Sequence, residues 1–300
     1  MENVKLIMVT GMSGVGKSTT AQNLARLYEQ NGIRHYWYHE EMKDHPIRWA
    51  NGGEFKAGSL YTEEGMQRNT ADMFERWTSF INKIDSIGGV HIMEGCWCQN
   101  IIRYFFRGNY PREKIISYYD HLMKILEPVN LHLIFLHRPN IQASFEKAFA
   151  VRGDKWRNLI LNPRGNAYFD THEHAGDDSI FFMWEDYQNL AHEVFERYKG
   201  SKLKIDTSCE QWDLYLRKLT EYLGIGYFEN KEQPVVSKDR YCGYFYFEDT
   251  NGRHEIEVIC VDDTLYCSPP WFKHIKMNSL GNDEFELSAF PVKFSYSFID

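Results

Sequence analysis

Residues 4–18 read Val-Lys-Leu-Ile-Met-Val-Thr-Gly-Met-Ser-Gly-Val-Gly-Lys-Ser, and the order of residue types in this stretch decides the fold. Val4 to Thr10 is a short apolar run with β-branched residues, which reads as a buried strand. Gly11 to Ser18 fits the pattern G-x-x-x-x-G-K-[ST] of a phosphate-binding loop. Beyond Ser18, Ala21, Leu24, Ala25 and Tyr28 fall at i, i+3, i+4 and i+7, one face of a helix that ends at Gly32. Strand, glycine-rich turn and helix therefore follow one another in the order the motif demands.

The spacing has a chemical reason. Glycines at 11, 14 and 16 let the backbone take turns closed to side chains, so successive N–H groups converge on one anion. The positive end of the following helix adds to that field. Gly11, Met12, Ser13, Gly14, Val15, Gly16, Lys17, Ser18 and Thr19 are thus the expected nucleotide-binding residues. Lys17 is placed to reach the β- and γ-phosphates, and the Ser18 hydroxyl to ligate Mg²⁺. ATP and Mg²⁺ are the expected cofactors.

Bulk properties narrow the class. The 300 residues suffice for one large or two modest domains. A net charge of −8 argues against a nucleic-acid-coating surface. No apolar run approaches the ~18 residues of a membrane span, and the first strand begins almost at once, without a secretory signal pattern. A cytoplasmic protein is the expectation. The six cysteines form no C-x-x-C pair and read as reduced thiols. Against the acidic whole, residues 138–164 hold six basic side chains and only two acidic ones. A polyphosphate would seek such an island.

Strands and helices alternate through residues 1–226, the pattern of an α/β domain with a parallel five-stranded sheet covered by helices on both faces. Further strands are expected at 34–39, 90–93, 131–136 and 203–206. Thr62 caps a long helix whose buried stripe includes Met66, Met73, Trp77, Ile81 and Ile84, and Gly88-Gly89 stops it. A helix from Pro139 is expected to end near Val151, with a polar loop over 152–176. Residues 227–239 read as a linker. Residues 240–300 alternate tightly, with Asn251-Gly252 between two alternating runs, and read as a small antiparallel β module.

Acidic residues stand at the carboxyl ends of two expected strands, where ligands of open parallel sheets bind. Glu94 ends the third strand and is expected to help hold Mg²⁺ with Ser18. Glu40 and Glu41 end the second. Side chains alternate along a strand, so only one of the pair can face the site; Glu41 is the expected one, oriented toward the attacking hydroxyl.

The phosphate loop, these carboxylates, the strand ending in Glu94-Gly95 and the arginine-bearing stretch after strand four resemble the P-loop kinases. The similarity is to the branch with nucleoside, thymidylate and adenylate kinases, over about residues 1–225. That resemblance implies a basic lid over the γ-phosphate, assigned to Arg152, Lys155, Arg157 and Arg164. The catalytic set it implies is Lys17, Glu41, Glu94, Arg152 and Arg157. An acidic residue followed by arginine, common in the nucleoside branch, is absent, since Gly95-Cys96-Trp97 follows Glu94. The expected function is Mg-ATP-dependent phosphoryl transfer to a small hydroxyl- or phosphate-bearing molecule such as a nucleoside or nucleotide. A nucleotide-hydrolysing switch whose β module binds a partner is one alternative. An antibiotic- or sugar-nucleotide-modifying kinase is the other.

Three further patterns need a reading. Asn82-Lys83-Ile84-Asp85 matches a guanine-reading motif but lies on the apolar stripe of the long helix, so ATP is expected over GTP. Asp170, His172, His174, Asp177 and Asp178 read as a polar loop. Trp49, Phe55, Tyr61 and Trp97 flank the expected acceptor cleft.

Overall fold

The computed structural model describes residues 5–42, 44–47, 62–98, 101–162, 167–173, 176, 178–229, 232–235, 237–249, 252–269 and 272–297. Five strands form one sheet: β1 (Leu6–Thr10), β2 (His35–Tyr38), β3 (Val90–Glu94), β4 (Leu131–His137) and β5 (Ser201–Asp206). Their spatial order is β2-β3-β1-β4-β5, and every pairing is parallel. Every residue of β1 and β3 is buried, as a sheet covered on both faces requires. The order sets β2, β3 and β1 side by side. Glu40, Glu94 and the loop after Thr10 therefore emerge from neighbouring carboxyl ends.

The covering helices are α1 (Lys17–Gln30), α2 (Glu63–Ile87), α3 (Ile101–Arg107), α4 (Arg112–Leu126), α5 (Ile141–Leu161), α6 (Ser179–Arg197) and α7 (Trp212–Leu223). Helix α1 packs on β1, β2 and β3, while α2 packs on α4. Thr62 caps α2 as expected, its hydroxyl accepting from the Gly65 N–H at 3.1 Å. The Asn82–Asp85 stretch lies inside α2. Where the sequence suggests a polar loop from residue 152, the helix instead breaks at Gly153 (φ 73°, ψ −178°) and resumes to Leu161. Ile160 is buried and Trp156 packs on Phe149, so apolar burial sustains the second segment.

The second sheet is a six-stranded antiparallel meander: β6 (Gly243–Asp249), β7 (Gly252–Val261), β8 (Thr264–Ser268), β9 (Ile275–Gly281), β10 (Glu284–Leu287) and β11 (Lys293–Ser295). Two of its hairpins turn on residues with positive φ, Asp262-Asp263 (47° and 57°) and Asn282-Asp283 (52° and 59°). Aspartate and asparagine tolerate this conformation, and it matches the twist of the flanking strands. Ile256, Val258, Leu265, Cys267, Ile275, Met277, Phe285 and Leu287 alternate inward and make its core. That core shares no residue with the core of the first domain.

The module nevertheless sits on the first domain. Buried Gln22 of α1 donates to the Leu287 carbonyl at 2.8 Å and accepts from the Ala289 N–H at 2.7 Å. Arg26, one turn further along α1, pairs with Glu286 at 2.5 Å, and both side chains are largely buried.

Candidate functional site

The loop of residues 11–16 owes its path to three glycines with φ of 142°, 79° and 93°. Space is as restrictive as torsion at Gly14 and Gly16. A Cβ at Gly14 would lie 1.9 Å from the Ser144 carbonyl oxygen, and one at Gly16 would lie 2.2 Å from the Trp212 ring. Buried Lys17 donates to the Met12 carbonyl at 2.9 Å, across the loop it closes. Ser18 and Thr19 follow in the first turn of α1.

Around Lys17 the fold gathers Glu40, Glu94, His39 and Arg152. Glu94 is fully buried. Its Oε1 accepts from the Glu40 N–H at 3.4 Å and lies 3.3 Å from His39 Nε2. Its Oε2 is buried with no hydrogen bond of ordinary geometry. Burial, reinforced by the Glu40 charge, pushes the Glu94 carboxyl up to about 8 from 4.5, against the pull of the Ser18 hydroxyl and Lys17. Burial lowers Lys17 from its ordinary value, opposed by the charges of Glu40 and Glu94. Burial would raise Glu40, but Lys17, Arg152, His39 and Arg103 together hold it below the ordinary carboxylate value. One carboxylate is thus kept charged by cations while its neighbour is driven toward the neutral form.

The residues fit a hard divalent cation. A buried Glu94 carboxylate oxygen without a hydrogen bond of ordinary geometry stands near the Ser18 hydroxyl, and such a metal favours few protein oxygens, completing its shell with phosphate and water. Among the described residues no group of three or more His, Cys, Asp or Glu forms an all-protein metal site.

The structure distributes the other expected site residues differently. Glu41 is exposed, and Glu40 faces the cluster in its place. Strand β2 ends at Tyr38, and a turn closed by Met42 N–H to His39 C=O (2.9 Å) follows, so strand alternation no longer governs residues 40 and 41. Arg152 pairs with Glu40 at 3.3 Å. Arg157 is exposed, with its guanidinium over the Phe149 ring at 5.7 Å. The basic island is not one patch: Arg138 pairs with Glu210 at 2.9 Å, and Lys147 pairs with the same carboxylate. Lys155 is exposed, and Arg164 lies outside the described residues.

Trp97 does not line a cleft. It is wholly buried against Tyr119 and Tyr198, with its carbonyl accepting from the Tyr119 hydroxyl at 2.8 Å. Trp49, Phe55 and Tyr61 lie outside the described residues, as do His174 and Asp177. His172 stacks on Tyr168 with ring centroids 3.9 Å apart, an ordinary packing role. All six cysteines are free thiols. Among the described residues no helix is long and apolar enough to cross a membrane.

Two site residues escaped the sequence reading. Arg103, on α3, contributes to holding Glu40 charged. Its only sequence signal is a basic residue shortly after the Glu94 strand. His39 contacts Glu94 but reads in sequence as the last residue of a strand.

Residues 7–141, from β1 to the first residue of α5, match a family model described as an AAA domain. No curated protein matches the chain. Similar solved structures include a sugar kinase from a Janibacter species, 12% identical with a TM-score of 0.35, covering 74% of this chain and 96% of that one. Another is shikimate kinase from Acinetobacter baumannii in complex with shikimate, 14% identical with a TM-score of 0.38, covering 74% and 95%. The first domain is a parallel five-stranded α/β fold with a phosphate-loop motif between its first strand and helix.

Proposed function

We propose that the chain is an Mg-ATP-dependent phosphotransferase acting on a small molecule that presents a hydroxyl or a phosphate. One observation carries this reading. The fold brings Lys17, Glu40, Glu94 and Arg152 together beside the glycine-rich loop, from four separate segments.

Each group then has a role. The loop N–H groups and Lys17 hold the β- and γ-phosphates. Ser18 and Glu94 would hold Mg²⁺, which when bound would neutralise charge on the phosphate oxygens. Glu40 accepts a hydrogen bond from the acceptor hydroxyl and aims its oxygen at the γ-phosphorus. That oxygen forms the new P–O bond as the bond to the β,γ-bridging oxygen breaks. ADP departs with the electron pair, and the hydroxyl proton passes toward Glu40. A loose transition state asks for positioning and charge neutralisation more than for a strong base, so a carboxyl held low by cations suits the task. Arg152 offers a planar fork to the transferring group.

The test is Lys17→Ala. Phosphoryl transfer should fall by on the order of 10²-fold or more, with a cooperative melting transition retained without nucleotide. Wild-type turnover from the folded variant overturns the assignment. Strict dependence of phosphate turnover on an acceptor, identified by mass spectrometry of co-purifying small molecules, separates this reading from a hydrolytic switch.

A further inference from the structure

We infer that the C-terminal β module is the clamp that seats Arg152 in the site, with Phe272 as the positioning residue. The inference rests on the phosphotransferase reading above and assigns the module a part in it.

The first observation is at the break in α5. The backbone leaves helical geometry at Gly153. The module meets the helix there: the Lys273 N–H donates to the Val151 carbonyl at 2.7 Å. The approach is close enough that a Cβ on Gly153 would come within 3.2 Å of the Lys273 side chain.

The second observation is the residue just before the break. The Arg152 guanidinium carbon lies 4.9 Å from the Trp156 ring centre and 5.0 Å from that of Phe272. Phe272 meets Phe290 edge-on at 4.7 Å, and Phe290 lies 5.0 Å from the His39 ring. His39 precedes Glu40, and Glu40 returns to Arg152 at 3.3 Å. The contacts thus close a ring from Arg152 through Phe272, Phe290, His39 and Glu40, with both phenylalanines coming from the module. A long arginine side chain has many rotamers in solution. Aromatic faces on the guanidinium cut that freedom and favour the cation. The same module grips α1 through Gln22 and Arg26, and α1 begins at Lys17. One rigid sheet therefore ties the helix of the phosphate loop to the hinge that carries Arg152.

The test uses the full chain, with Mg-ATP as the probe and ADP formation as the rate. Phe272→Ala should lower kcat about tenfold, with KM for ATP changed less than about twofold. Phe272→Tyr, which keeps the ring, should stay within about twofold of wild type. The double variant Phe272→Ala/Arg152→Ala should be no slower than Arg152→Ala alone, since both remove one function. Hydrogen exchange over residues 148–158 should rise in Phe272→Ala and not in Phe272→Tyr. A slow Arg152→Ala beside a wild-type Phe272→Ala overturns the clamp and leaves the phosphotransferase reading standing, as do multiplying defects in the double variant. A wild-type rate from Arg152→Ala overturns the clamp together with the role given to that arginine. Wild-type protein that forms no ADP from Mg-ATP alone shows the acceptor dependence expected of a phosphotransferase, and the exchange comparison then decides the clamp by itself.

Discussion

Glu94→Gln should make the protein more stable and less active, with the gain in stability set by pH. The folded state holds the Glu94 carboxyl at about 8, against 4.5 for the ordinary group. A group raised on folding contributes its full stabilisation below the lower value and loses it as pH climbs through the upper one. Wild type without nucleotide or metal therefore weakens between pH 5 and 9, as ionisation forces a charge into a dry site. Glutamine keeps the shape and carries no charge at any pH. The rise from 4.5 to about 8, at about 1.4 kcal/mol for each pH unit, sets a ceiling of about 5 kcal/mol. Part of this is returned, because Lys17 loses a charged neighbour and the Glu40 N–H and His39 contacts to a carboxylate weaken. A net gain of about 1–3 kcal/mol at pH 9 remains, or very roughly 3–8 °C in melting temperature for a domain of this size. Urea denaturation in EDTA at pH 5, 7 and 9 reads it directly. The two proteins should converge at pH 5 and separate as pH rises. Adding Mg-ATP should then raise the melting temperature of wild type far more than that of the variant. A variant that is no more stable than wild type at pH 9 without nucleotide refutes the assigned burial cost.

Gly16→Ala should abolish the ATP-dependent rise in melting temperature, since its Cβ would meet the Trp212 ring and its φ is +93°; the strain should cost about 1–3 kcal/mol by calorimetry. A chain ending at Gly226 keeps its own core and should still melt higher with ATP. It should melt lower than the full chain without ATP, because Gln22 and Arg26 lose Leu287, Ala289 and Glu286; a truncated chain with no cooperative transition would refute this. Arg157→Ala should change kcat less than about threefold, while Arg152→Ala should lower it by on the order of 10²-fold; equal effects would show that the exposed arginine over Phe149 also reaches the transferring group.

What could be read from the chain alone rests on interactions among residues close in sequence. Strand β1, the loop at 11–18 and α1 were legible because their signals recur within a few positions: an apolar run, glycines at set spacing, a helical stripe. The Thr62 cap and the alternation of the C-terminal module are local in the same sense. The helical break at Gly153 was half legible, since a glycine marks a turn but does not say that burial of Trp156 and Ile160 resumes the helix beyond it.

Tertiary structure alone decided the composition of the site. Glu40 rather than Glu41 faces Lys17 because the chain turns after Tyr38 and because Arg152, 112 residues away, offers a cation there. Trp97 looks like a cleft residue until Tyr119 and Tyr198 close over it. Arg152 and Arg157 are equivalent in sequence and differ in their surroundings: Arg152 reaches Glu40, while Arg157 lies over the Phe149 ring. The seat of the β module on α1 spans 265 residues from Gln22 to Leu287. Local propensity carries no information over such a separation. Which charges become neighbours, and how far burial shifts them, depends on chain closure and on the water excluded when distant elements pack.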